Sequence, residues 1–430
     1  MAQHLASTLA VEKASDDGDA PAHAPQLRIF VFALFFIFGG ITSLNDVIIP
    51  KLKDLFTLSY GEAMLVQSAF FAAYFVVSLP AAAIVRRFGY MRTAVIGLLT
   101  MTAGCVLFMP ASASGIFVTF LLALFVLASG ITIVQVVANP LICLLGAPPT
   151  AHSRLTFAQA FNSLGTTVFP YVGSILILGS LATIDQGALS GAALEAYRAQ
   201  ETRVVFRTYL GLALALAFVA VMVWMWRKSL IETHTGSVST WRAFELLGRP
   251  RFGLGALSIF LYVGGEVAIG SVIVNYLMQS NVMGLAAEAA GKNVPLYWGG
   301  AMVGRFIGAY LLRVFSPGKL LACAAGGVIT LLIISANTSG MTSGYSLLAI
   351  GLFNSIMFPT IFSLASERLG RRAAEGSGII CVAIVGGAIV PLITGHVADM
   401  AGLKAALAVP AICYAVILGF GIYARRPHAG

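Results

Sequence analysis

Two carboxylic acids, Asp46 and Glu266, stand inside apolar stretches of the chain long enough to cross a bilayer. A carboxylate in hydrocarbon costs at least about 2.5 kcal/mol, so it normally faces a polar cavity and serves the passage of an ion or substrate. Comparable stretches carry the amides Asn45, Gln135, Asn139, Gln159, Asn162, Asn275 and Asn354. Gln135 and Asn139 are four residues apart and Gln159 and Asn162 three, so each pair shares one helix face. Amides and acids can hydrogen-bond a polar solute, and aromatic rings can pack on its apolar faces. Tyr262, one helical turn before Glu266, is the expected stacking ring, ahead of Tyr276 and Trp298. Asp46 is expected to carry a coupling proton, and Glu266 to bind substrate or share the titration. Arg305, inside another stretch, reads either as counter-ion to one acid or as an interior gate. Amides in membrane helices can also simply tie helices together. Asn139 beside Pro140 has a second such reading, as a cap for carbonyls that the proline frees.

These residues need a membrane-spanning scaffold. Of the 430 residues 59% are hydrophobic and 10% charged, against about 25% charged in soluble domains, which excludes a soluble globular protein. Apolar windows predict twelve helices at about 28–55, 62–85, 93–110, 115–146, 156–179, 205–226, 252–280, 296–314, 318–336, 344–365, 377–397 and 403–424. Most of the 26 Lys and Arg fall in segments that are interior if the N-terminus is cytoplasmic, so both termini are placed in the cytoplasm. The net charge of +9 is then a topology signal that also suits anionic lipid, and no nucleic-acid partner is expected. Residues 1–27 read as a disordered cytoplasmic tail, 228–250 as a cytoplasmic linker and 427–430 as a short tail. The first span is too long for a cleaved signal and reads as a retained anchor. Cys105, Cys143, Cys323, Cys381 and Cys413 show neither disulfide nor metal spacing and read as packing residues; no metal or cofactor is expected. No HExxH, GxSxG or His/Asp cluster supports an enzyme.

Residues 28–227 and 251–426 read as two copies of one six-helix bundle. Gly39-Gly40, six residues, then Val47-Ile48-Ile49 matches Gly264-Gly265, six residues, then Val272-Ile273-Val274. Gln135 precedes Pro140 by five residues as Asn354 precedes Pro359, and Gly165 precedes Pro170 as Gly386 precedes Pro391. The offsets are 225, 219 and 221, which pair spans 1 with 7, 4 with 10 and 5 with 11. A parallel six-plus-six repeat is the architecture of major facilitator transporters, whose halves rock about a site near the midplane. The predicted fold class is therefore all-α: twelve transmembrane helices in two bundles related by a pseudo-two-fold axis.

Several runs resemble the fucose/glucose/galactose:proton symporter family of that superfamily. They are Leu44-Asn45-Asp46-Val47-Ile48-Ile49-Pro50, Gln67-Ser68-Ala69-Phe70-Phe71, Ala138-Asn139-Pro140 and Gln159-Ala160-Phe161-Asn162-Ser163. Tyr262-Val263-Gly264-Gly265-Glu266 and Phe358-Pro359-Thr360-Ile361-Phe362-Ser363-Leu364 continue the likeness in the second half. Arg87 and Gly89 resemble the superfamily's interior loop motif, with Arg86 in place of its usual acid. Gly165, Pro170 and Gly173 only partly match a drug-antiporter motif, and read as a repeat-derived helix bend. The resemblance implies import of a monosaccharide driven by a cation gradient in the inner membrane of a bacterium, by a monomer. The fucose branch has a second essential acid on span 4, where Gln135 stands here, and an amide on span 7, where Glu266 stands. The glucose/galactose and N-acetylglucosamine branches are more similar, with fucose less favoured. Sodium coupling, uncoupled transport and a non-transporting sensor stay open.

Overall fold

The structure is a computed structural model that describes residues 25–56, 60–114, 116–173, 192–225, 227 and 240–425. Its elements are helical throughout. α1 is Pro25–Phe56, α2 Tyr60–Phe88, α3 Tyr90–Ser114, α4 Phe117–Leu144, α5 Ala151–Gly173 and α6 Ala192–Met225. After them come α7 Pro250–Met278, α8 Val294–Val314 and α9 Pro317–Asn337. α10 is broken into Gly340–Asn354 and Met357–Ala365, α11 into Ala373–Ala383 and Gly386–Ala401, and α12 into Leu403–Ala406 and Ala408–Ala424. A helix thus stands at each predicted span. Among the described residues, nine helical stretches are long and apolar enough to cross a membrane. α1, α5 and α8 are not among them: the apolar stretch of α1 is counted only over Leu27–Ser43, α5 carries His152, Arg154, Gln159 and Asn162, and α8 carries Arg305 and Arg313. Large apolar side chains such as Leu214, Phe218 and Leu392 lie exposed, as lipid contact requires.

Local chemistry sets the helix ends. α7, α8 and α9 each have a proline in the first two positions, where its missing N–H is no loss. α2 ends at Gly89, whose φ of 83° lets its N–H bond the Val85 carbonyl at 2.7 Å and turns the chain at once into α3. Within the segment expected as a polar linker, Thr240–Gly248 forms a 3₁₀ helix packed on α7 and the start of α11.

The chain forms two compact units. One holds α1 from Phe32, α2, α3 and α4 to Ala138, together with α5 from Phe161 and α6. The other holds the start of α1, Asn139–Ala160 and the helices from α7 onward. Within each unit the predicted repeat recurs as contacts. α3 packs along α6 as α9 packs along α12. Two bonds related by the sequence repeat both fall in the second of these units: the Arg28 Nε donates to the Leu145 carbonyl at 2.7 Å, and the Arg251 Nε to the Leu364 carbonyl at 3.1 Å. A Cβ on Gly165 would collide with the Phe36 carbonyl, and one on Gly386 with the Phe260 carbonyl. The repeated glycines therefore let helices meet backbone to backbone, a tighter constraint than the bend read from sequence. Cys105, Cys381 and Cys413 are buried as expected of packing residues, but Cys323 on α9 is exposed.

Candidate functional site

The second-half acid sits at the head of a hydrogen-bonded chain of side chains. Glu266 and Tyr262 are one turn apart on α7, and the Tyr262 hydroxyl donates to Glu266 Oε1 at 2.8 Å and to the Asn354 carbonyl at 3.1 Å. The Tyr414 hydroxyl on α12 donates to Asn354 Oδ1 at 2.8 Å. Asn354 Nδ2 in turn donates to the Tyr297 hydroxyl on α8 at 2.9 Å, and that hydroxyl donates to the Glu266 carbonyl at 3.3 Å. Side chains from four helices are thus joined in one network, which reaches the Glu266 carboxylate through Tyr262. Arg305 lies within electrostatic reach of Glu266 and donates to the carbonyls of Ser355 at 3.4 Å and Gln159 at 3.3 Å. These bonds tie α8 to α5 and to the break in α10.

Glu266 as a residue is half-buried. Asn354 is 0% exposed with both ends of its amide engaged, which suits a keystone of the cluster rather than a direct ligand. Tyr262 is 1% exposed, so the stacking role expected of it does not fit: its ring has no open face, and its hydroxyl orients Glu266 instead. Tyr276 is equally buried, bonded to Ser335 and Ser343. Trp298 is the exposed ring near the acid, set edge-on to Tyr297 and lying against Gly270, one turn beyond Glu266. Asn275 is exposed and outside the cluster.

The first-half amides divide differently. The Tyr74 hydroxyl on α2 donates to Gln135 Oε1 at 2.7 Å, which fixes the amide and leaves its nitrogen for another acceptor. Asn162 Nδ2 donates to the Phe35 carbonyl at 3.3 Å, against Gly39. Gln159 is buried. Asn139 is 0% exposed and neither side-chain atom has a hydrogen-bond partner, so the capping reading fails: the amide does not reach the freed carbonyls. The side chains of Asn45 and Asp46 lie outside the described residues.

Tyr74, Tyr297 and Tyr414 were not foreseen from sequence. A signal existed for two of them: Tyr74 and Tyr297 stand 223 residues apart, within the repeat's own range of offsets, and each meets the repeat-related amide. His152 was also missed. Its Nδ1 is 2.6 Å from Ser363 Oγ and its Nε2 3.3 Å from Glu367 Oε1, and Glu367 also pairs with Arg251. Nearby, Ser153 donates to the Ala309 carbonyl at 2.6 Å and accepts from Arg313 at 3.2 Å. Together these bonds tie Asn139–Ala160 to α7, α8 and α10. Arg154 binds the carbonyls of Ile142, Cys143, Gly146 and Ala147, and so caps the end of α4.

A bundle of membrane-length helices, internally repeated and with a networked acid among them, defines a secondary transporter rather than an enzyme. The Major Facilitator Superfamily model matches residues 31–383, and the chain belongs to that superfamily. It is similar to a glucose/galactose transporter of Brucella abortus biovar 1 (strain 9-941), at 48% identity over 90% of this chain and 92% of the relative. A putative glucose/galactose transporter of Helicobacter pylori (strain J99 / ATCC 700824) is 41% identical over 84% and 86%. The L-fucose-proton symporter of Escherichia coli (strain K12) is 33% identical over 84% of each chain. In three dimensions the chain resembles FucP, a superfamily transporter solved in the outward conformation, with a TM-score of 0.86, 31% identity, and coverage of 93% and 98%.

Proposed function

We propose that the protein imports a hexose of the glucose/galactose type by symport with a proton. The likeness at 48% identity along nine-tenths of the chain to a glucose/galactose transporter carries this reading. Twelve spans in two bundles, 28–227 and 251–426, with both termini cytoplasmic and the monomer as functional unit, complete it. Sugar hydroxyls would be met by Gln135, Gln159 and Asn162 from the first bundle and by Glu266 from the second, with Asn45 a further candidate and Asn139, Asn275 and Asn354 in supporting places. Trp298 takes the stacking role. Asp46 carries the proton, and Glu266, oriented by Tyr262 and faced by Arg305, links sugar binding to it as a coupling free energy.

The test is uptake of labelled glucose and galactose into proteoliposomes under an imposed proton gradient and, separately, a sodium gradient. Accumulation under the proton gradient alone, abolished in Asp46→Asn, is the expected result. Accumulation driven by sodium would recast both acids as cation ligands.

A further inference from the structure

A cavity of about 350 Å³ lies between the end of α4 and start of α5 on one side and the end of α10 and start of α11 on the other. Neither Glu266 nor any partner in its network lines it. Its walls have a definite chemistry. Ser366 holds a buried hydroxyl with no hydrogen-bond partner, a deficit of about 1–3 kcal/mol that a ligand oxygen would relieve. Arg368 is the one non-glycine with a left-handed backbone among the described residues, φ 58°, and strain of this kind clusters at binding sites. Two helices, Ala151–Gly173 and Ala373–Ala383, begin at the wall with Ala151 and Ala373, each presenting the positive end of its dipole. Glu367, the acid in the lining, is already paired with Arg251 and bonded by His152. The electrostatic balance favours an anion. Phe362, Pro148 and Pro149 add an apolar surface suited to a ring face, and the volume lies in the range of small-molecule sites.

We propose that this cavity binds a small phosphate monoester bearing hydroxyl groups, of hexose-phosphate size, entering from the side of the basic loops. The phosphate is taken by Arg368 and the two helix starts, and a ligand hydroxyl by Ser366. Both walls touch the occupant only while Asn139–Ala160 stays closed on α10 and α11, so the ligand stabilises that arrangement by mass action. The binding claim is independent of which sugar crosses the membrane; only the transport readout rests on the proposed function.

Thermal unfolding of the purified protein with glucose 6-phosphate, inorganic phosphate or glucose, at matched ionic strength, tests binding without transport. Glucose 6-phosphate is expected to raise the midpoint well beyond inorganic phosphate. Arg368→Gly, which keeps the backbone and removes the cation, and Ser366→Ala should each raise the concentration needed by at least about tenfold. In vesicles loaded with the ester, tracer uptake should slow in the parent and not in Arg368→Gly, with unloaded uptake equal in both. No stabilisation by the ester, equal stabilisation by inorganic phosphate, or an unchanged concentration dependence in both variants would overturn the proposal, whether or not the vesicles take up sugar.

Discussion

Gln135 and Asn354 are repeat mates with opposite duties. Gln135 is held at its oxygen alone, by Tyr74, whereas Asn354 is engaged at both ends of its amide by Tyr297 and Tyr414. Tyr74→Phe should therefore leave the fold intact and let the Gln135 amide turn. A loss of about 1 kcal/mol, or a fivefold rise in the half-saturating sugar concentration at unchanged maximal rate, is expected in counterflow assays. Asn354→Ala removes the partner of two buried tyrosines, and a destabilisation of about 2–4 kcal/mol should appear as a lower melting midpoint. Tyr262→Phe should lower proton-driven uptake more than sugar binding in the absence of a gradient, because it frees Glu266 without removing it. The residues that read most clearly in sequence were those that hydrocarbon makes costly: Glu266, Arg305 and the amides. The tyrosines beside them were silent because a buried tyrosine in a membrane helix looks like any other aromatic until its hydroxyl is seen to be bonded.

At the scale of helices, the glycine contacts set how closely α1 approaches α5 and α7 approaches α11. Gly386→Val, driven against the Phe260 carbonyl, should cost about 1–3 kcal/mol, measured as a fall in thermal midpoint in detergent. Gly299→Ala on α8 meets nothing within 4 Å and serves as the control, expected within about 0.5 kcal/mol of the parent. Helix positions were legible from hydropathy because spanning length is fixed by the bilayer. The start of α5 was not. His152, Ser153 and Arg154 read as loop because they are polar, yet they join the helix by bonding carbonyls and side chains of neighbouring elements.

For the molecule as a whole, the segment from Asn139 to Ala160 matters most, since covalently it belongs to the first half and by packing to the second. Sequence could show that two halves exist, through spacings that recur, but not this exchange, which depends on side-chain bonds between distant residues. Alternating access requires those bonds to open and reform. His152→Ala should loosen them, and because Cys143 lines the cavity beside His152, its labelling by a polar thiol reagent, followed by mass spectrometry, should rise several-fold.

The paired bonds of Arg28 to Leu145 and Arg251 to Leu364 also bear on how the chain is made. Donor and acceptor are 117 residues apart in the first case and 113 in the second. At about 5–20 residues per second of synthesis, each guanidinium waits roughly 6 to 23 s for its acceptor to leave the ribosome. Each half therefore carries its own built-in delay of nearly equal length, and the first can fasten the end of α4 well before the second exists.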